Sequence, residues 1–204
     1  MGNVETVQTI NSISYVEIVE KKSTFIGQAF PINSKEEADE HISSIKKKYK
    51  DATHNCYAYK VGNIEKCSDD GEPSGTAGKP ILDVLKNVDN VLIIVTRYFG
   101  GTLLGTGGLV RAYGSCAKLA LNEAGIVAKK EAQIFQLVCE YNFLGKAEHL
   151  LKPKYTVQEI NYLDKVYIQV VVLSDQVHEF KQLIQENMYG NVELNYLKNI
   201  VVFM

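Results

Sequence analysis

The sequence predicts an α+β protein of two domains, residues 1–128 and 131–204, the second a ferredoxin-like βαββαβ unit. Three observations predict it. From Gln133 onward, strand-like and helix-like stretches follow one another in the order β-α-β-β-α-β. A charged break, Ala128-Lys129-Lys130-Glu131, separates that pattern from the helix-like stretch before it. Upstream, an apolar run, Val91-Leu92-Ile93-Ile94-Val95, leads through a glycine-rich segment into that helix.

The first domain opens with extended structure over residues 15–30, two strands joined at Lys21-Lys22 as a hairpin. Pro31 ends the second strand. Ser34 and Glu37 have the spacing of a capping box for a helix running to about Tyr49. Ala38, Ile42 and Ile45 give that helix its apolar stripe, and Lys46-Lys47-Lys48 suit the negative end of its dipole. Asn55–Val61 reads as a strand. Gly62–Pro80 reads as a long polar loop, and a loop of that length in a compact domain is usually functional or disordered. Ile81–Lys86 begins a short helix. Val91–Val95, apolar at every position, reads as a strand buried on both faces. Gly107–Ala124 is helical by pattern, with Gly125 past its end.

In the second domain, Gln133–Tyr141 is the first strand and Leu144–Leu151 a helix that stops before Pro153. Thr156–Tyr162 and Val166–Leu173 are strands joined at Asp164-Lys165. Ser174 can cap a helix from Asp175 to about Met188, with Val177, Phe180, Leu183 and Ile184 on its apolar face. Gly190 ends it, and Val192–Phe203 closes the unit as a strand.

A hydrophobic fraction of 46% is ample for two cores, and 23% charged residues argues against disorder. Split at residue 129, the chain has 14 Lys and Arg against 15 Asp and Glu in its first part and 8 against 9 in its second. Neither is basic overall, so any nucleic-acid contact comes from a local patch and is modest and salt-sensitive. The four cysteines form no C-x-x-C pair and match no zinc spacing. With no secretory h-region and no membrane-length apolar run, the expectation is a cytoplasmic protein with reduced thiols, no membrane and no cofactor.

The chemistry concentrates between Thr96 and Gly114. This segment holds six glycines and the only two arginines of the chain, Arg97 and Arg111. No Asp or Glu occurs between Asp89 and Glu123, so the segment is locally positive. Glycines between a strand and a helix let backbone N–H groups approach a ligand, and the arginine fork suits phosphate or carboxylate. The segment is neither a P-loop nor a dinucleotide fingerprint. Gly78-Lys79 is followed by Pro80, and Val110 stands where the last glycine of G-x-G-x-x-G belongs. Anion binding at the Gly107–Gly108 helix start stays open beside a tight turn that only packs helix on sheet. Asp69, Asp70 and Glu72 form an acidic cluster able to hold Mg²⁺, to supply a base or simply to be solvated. Ser74 lies outside a hydrolase elbow. His54 is a weaker candidate, and Tyr98 and Phe99 can stack on bases or end a strand.

Two stretches together, Asp69–Pro80 and Thr96–Tyr113, are similar to the signature of the YigZ/Impact family, with no departure from it. The resemblance covers residues 15 to about 125 and, through the family's bacterial C-terminal domain, nearly the whole chain. It implies an N-terminal domain with the fold of domain 2 of ribosomal protein S5, also found in elongation factor G and in small-molecule kinases. It implies a C-terminal ferredoxin-like domain similar to the last domain of elongation factor G. Eukaryotic members act in translational control by binding a regulator of an initiation-factor kinase. For bacterial members it implies no settled activity.

The expected function is therefore non-enzymatic: binding of RNA, the ribosome or a translation-related protein. Its expected ligand-binding set is Arg97, Tyr98, Gly100, Gly101, Gly105, Gly107, Gly108 and Arg111, with Asp70, Glu72, Ser74 and Lys79 from the acidic loop. No catalytic residue and no metal site is assigned. Two alternatives remain: an enzyme on a phosphorylated small molecule, with Asp70 or Glu72 holding metal, and a protein-interaction adaptor. The acidic loop is expected near the Arg97–Arg111 segment, either paired with the arginines or sharing a polar cleft with them.

Overall fold

The structure, a computed structural model, describes residues 7–188 and 190–204. They fall into two compact units, Val7–Ala128 and Lys129–Met204. The first unit carries β1 (Val7–Ile10), β2 (Ser14–Glu20), β3 (Ser23–Pro31), α1 (Lys35–Lys48), β4 (His54–Val61), β5 (Ile64–Ser68), α2 (Gly78–Val84), β6 (Val91–Tyr98) and α3 (Thr106–Glu123). Its antiparallel sheet has the order β2-β3-β6-β4-β5. The apolar run of β6 explains its central place. Val91, Ile93 and Val95 join a core with Ile81, Leu109 and Cys116 of α2 and α3, whereas Leu92 and Ile94 join one with Ile42 and Ile45 of α1.

The Ser34 cap forms, and the returning carboxylate reaches the residue before it. The Glu37 amide donates to Ser34 Oγ at 3.1 Å, while the Glu37 carboxylate accepts from the Asn33 amide at 2.7 Å. The β2–β3 hairpin turns at Lys21-Lys22, both with positive φ, as a two-residue turn matched to strand twist requires.

Residues 62–80 are not one long loop. Ile64–Ser68 folds back on β4, with Ile64 opposite Val61 and Ser68 opposite Tyr57, and α2 begins at Gly78. This edge strand is polar and exposed along most of its length, so it lacks the buried alternation that marks a strand. β1, unforeseen, pairs with β7 (Ile126–Cys139), the strand in which the chain passes from the first unit to the second. The charged break at Lys129-Lys130-Glu131 thus lies inside a strand. It pairs there with Phe203, Val202 and Val201 of β10 (Val192–Phe203).

The second unit continues with α4 (Leu144–Leu151), β8 (Thr156–Tyr162), β9 (Val166–Leu173) and α5 (Val177–Met188). Ser174–Gln176 is a single 3-10 turn ahead of α5 rather than its first residues. The strand order β10-β7-β9-β8, all antiparallel, is the ferredoxin-like order. Strict alternation along β9 buries Val166, Ile168, Val170 and Val172 against Leu151 of α4 and Phe180 and Ile184 of α5. Phe180 also meets Phe135 and Tyr155 at ring distances of 5.3 and 5.0 Å. Each such fully buried side chain stabilises the unit by roughly 1.5–3 kcal/mol.

Candidate functional site

Arg97 leaves β6 on the face covered by α2 and α3, and its side chain is 6% exposed. Its Nη1 donates to Glu72 Oε1 at 2.6 Å, and Nη2 donates to Ser23 Oγ at 3.3 Å. The guanidinium lies 5.4 Å from the ring centroids of both Phe25 and Phe99. Glu72 Oε1 also accepts from the Tyr113 hydroxyl of α3 at 2.8 Å, and His54 Nε2 lies 3.8 Å away. Burial, with Cys56 and Glu72 beside it, raises the Tyr113 phenol far above its ordinary value, so it stays a donor. Burial likewise pushes the Cys56 thiol up to about 12. The arginine therefore fastens the acidic loop to the sheet, and the tyrosine fastens it to α3.

The other two carboxylates have donors of their own. Asp69 Oδ1 accepts from the amides of Ala77 and Gly78 at 3.0 and 2.8 Å, and its Oδ2 from Gly75 at 2.9 Å. Burial pushes Asp69 up, but these three donors outweigh it and hold the carboxyl below the usual carboxylate range. Asp70 pairs with Lys46 of α1 and accepts from the Asn55 amide at 2.7 Å. Its carbonyl lies 2.9 Å from His54 Nδ1. The cluster read from sequence is thus three carboxylates with three separate sets of protein donors, and no group of metal-ligand residues occurs among the described residues.

The expected ligand-binding set divides accordingly. Arg97 and Glu72 come together, but buried in a brace rather than presented to a partner. Asp70 belongs to the α1 contact. Ser74 is exposed on the loop, and Lys79 pairs with Asp83 of α2 at 3.7 Å. Tyr98 is half-buried on the opposite face of β6, its hydroxyl donating to Asp51 at 3.1 Å. A Cβ on Gly100 would collide with the Lys22 carbonyl, so this glycine packs the loop on the hairpin tip. Gly101 and Gly105 have φ of 81° and 71° and turn the chain into α3. Gly108 abuts Leu104, whereas a Cβ on Gly107 would meet only Arg111 Nη1, at 3.6 Å.

Arg111 is exposed on α3, and its side chain has no ion pair or hydrogen bond among the described residues. α3 has no capping side chain and no carboxylate in its first turn, so its first amides keep their positive end uncompensated. Around this end Leu103 is 83% exposed and Phe99 45%. Arg111, Lys21 and Glu20 line a cleft of about 270 Å³ with Ile18, Leu104 and Ala112.

Sequence reasoning missed Ser23 and Tyr113 and ranked His54 low. Tyr113 lies on the apolar stripe of α3 beside Leu109, Ala112, Cys116 and Ala120. A phenol on such a stripe requires a buried partner, which was a usable signal. Ser23 carried none beyond its place after the Lys-Lys turn.

Residues 21–121 match the Impact N-terminal domain, and residues 137–191 match a domain of unknown function, DUF1949. The IMPACT family member YvyE of Bacillus subtilis is 40% identical, with 95% of this chain and 94% of that protein covered. The IMPACT family member YigZ of Escherichia coli is 35% identical, over 88% of this chain and 93% of its own. Protein IMPACT of Mus musculus is 36% identical over 44% of this chain and 31% of its own length. A crystal structure of a hypothetical protein superimposes with a TM-score of 0.61 at 32% identity, covering 96% of this chain and 98% of that one. A buried Glu72–Arg97–Tyr113 brace beneath a glycine-rich turn, followed by a ferredoxin-like unit, is how this chain carries the signature of the IMPACT family, to which it belongs.

Proposed function

We propose that this protein acts in the cytoplasm as a non-enzymatic, translation-associated factor that binds RNA, free or on the ribosome, at the start of α3. The observation that carries the reading is the unpaired, exposed Arg111 beside an uncapped helix start with no carboxylate in its first turn. Phosphate oxygens suit both the guanidinium fork and the free amides. Phe99, half-exposed and next in the chain to Tyr98, offers a ring on which a base can stack. Arg97 serves indirectly, by holding the loop and hairpin on which the surface is built. The second unit offers its sheet edges, β8 and β10, for a further contact.

Arg111→Ala, measured by fluorescence anisotropy with labelled single-stranded RNA at two salt concentrations, should weaken binding and leave the melting temperature unchanged. Losing a charge-assisted contact costs about 1.5–3 kcal/mol, roughly 10- to 150-fold. Arg111→Lys should recover part of it. Equal binding by wild type and Arg111→Ala would remove this surface from the interface. The exposed apolar side chains of Phe99, Leu103 and Val110 favour a second reading, a protein-interaction adaptor. That reading expects no RNA binding by the wild type.

A further inference from the structure

The cleft between the end of β2 and the first turns of α3 contains Glu20, Lys21 and Arg111. None of the three side chains has an ion pair or hydrogen bond among the described residues, although opposite charges share the space. The acids of the neighbouring loop, in contrast, are all bound to protein donors. Ile18, Leu104 and Ala112 make the cleft's apolar walls. Lys21 reaches it from a left-handed backbone, φ 46°, where Asn or Gly would fit at lower cost. That turn is fixed from below. The Lys22 carbonyl packs on Gly100, and Ser23 Oγ accepts from Arg97 Nη2 and from the Gly100 amide. The buried brace thus sets the position of the hairpin tip that carries Lys21.

We propose that this cleft binds one unpaired guanosine of an RNA strand, its base on the apolar walls, its Watson–Crick edge on Glu20 and its flanking phosphates on Lys21 and Arg111. The proposal rests on the RNA-binding reading above and adds the base. A phosphate alone would face the Glu20 carboxylate and leave the apolar walls bare. A base with donors facing Glu20 satisfies all three features. Among the four common bases only guanine presents two adjacent donors on that edge, its imino N–H and its exocyclic amine, which match the two oxygens of a carboxylate. Adenine and cytosine present one donor beside an acceptor, and uracil presents one between two carbonyls. A space of about 270 Å³ admits a single nucleotide and not a duplex. Recognition of splayed-out bases by hydrogen bonds to their Watson–Crick edges is the usual route to sequence-specific RNA binding.

The test uses the full chain and labelled octauridine carrying one central guanosine, inosine or adenosine, read by fluorescence anisotropy at low salt. Wild type should bind the guanosine strand about tenfold more tightly than the adenosine strand, as one good bidentate contact allows. Inosine, which lacks the exocyclic amine, should fall between. Glu20→Gln should bring the guanosine-to-adenosine ratio to about one with an unchanged melt, because an amide cannot accept both protons. Arg111→Ala should weaken both strands and keep the ratio. Equal binding of both strands by wild type, or an undiminished preference in Glu20→Gln, overturns the guanine assignment and leaves RNA binding standing. No binding of any strand overturns both.

Discussion

Arg97 illustrates how burial redefines a residue. A guanidinium in a positive, glycine-rich segment suggests ligand contact, yet here it is enclosed by Glu72, Ser23 and two phenylalanine rings. Removing one partner of a buried ion pair leaves the other charge uncompensated and costs about 3–5 kcal/mol. Arg97→Ala should therefore lower the thermal midpoint steeply, whereas Arg111→Ala should not. Arg97→Lys should recover little, since an ammonium cannot span Glu72 and Ser23 as the planar fork does. Asp69 gives a pH signature. Its folded-state value is depressed, so it contributes stability that is present above the unfolded value, about 3.9, and lost as pH falls through the lower folded value. Asp69→Asn should flatten the loss of stability below about pH 4, measured by chemical denaturation across that range. The thiols give a third test. Burial pushes Cys56 and Cys116 up to about 12 and raises Cys139, whereas Cys67 is exposed on β5. A thiol-specific chromogenic reagent should modify Cys67 rapidly in the native protein and all four cysteines in denaturant.

The turn from β6 into α3 separates two kinds of glycine. Gly100 is needed for close approach, and Gly100→Ala has to displace the Lys22 backbone. Overpacking of this kind costs about 1–3 kcal/mol, so this variant should melt lower. Gly107 has room for a Cβ and no positive φ, and glycine inside a helix is about 0.5–1 kcal/mol less favourable than alanine. Gly107→Ala should leave the melting temperature unchanged or raise it, while weakening RNA binding by crowding the helix start. Binding equal to wild type would show that nothing approaches the backbone there. The elements themselves were legible where their pattern was one-sided. Ser34 and Glu37 marked α1, and unbroken hydrophobicity marked β6. β5 was not legible, because its residues 64–67 are exposed and its only signature is pairing with β4.

At the scale of the molecule, each unit has its own core. We expect residues 129–204 expressed alone to fold, because this fragment keeps every recorded pair between β7 and β10 and the whole Phe135–Phe180–Tyr155 cluster. A cooperative thermal melt by circular dichroism is the expected result, and a fragment with no transition would show that it needs the rest of the chain. No helix among the described residues is long and apolar enough to cross a membrane.

The sequence by itself determined the α+β class, the βαββαβ order, the doubly buried β6, the start of α1 and the family signature. The signature rests on the resemblance of two quoted stretches, and the rest follows from local spacing of apolar, capping and turn residues along the chain. Only the tertiary structure decided which of the signature's charges are internal and which face solvent. Glu72 and Arg97 are 25 residues apart, and Ser23 is 74 from Arg97. No local pattern encodes that meeting, because it depends on β3, β6 and α3 packing around one point. The same packing leaves Glu20, Lys21 and Arg111 together without partners. It thereby leaves Arg111, and neither Arg97 nor the loop acids, at the solvent-facing part of the glycine segment.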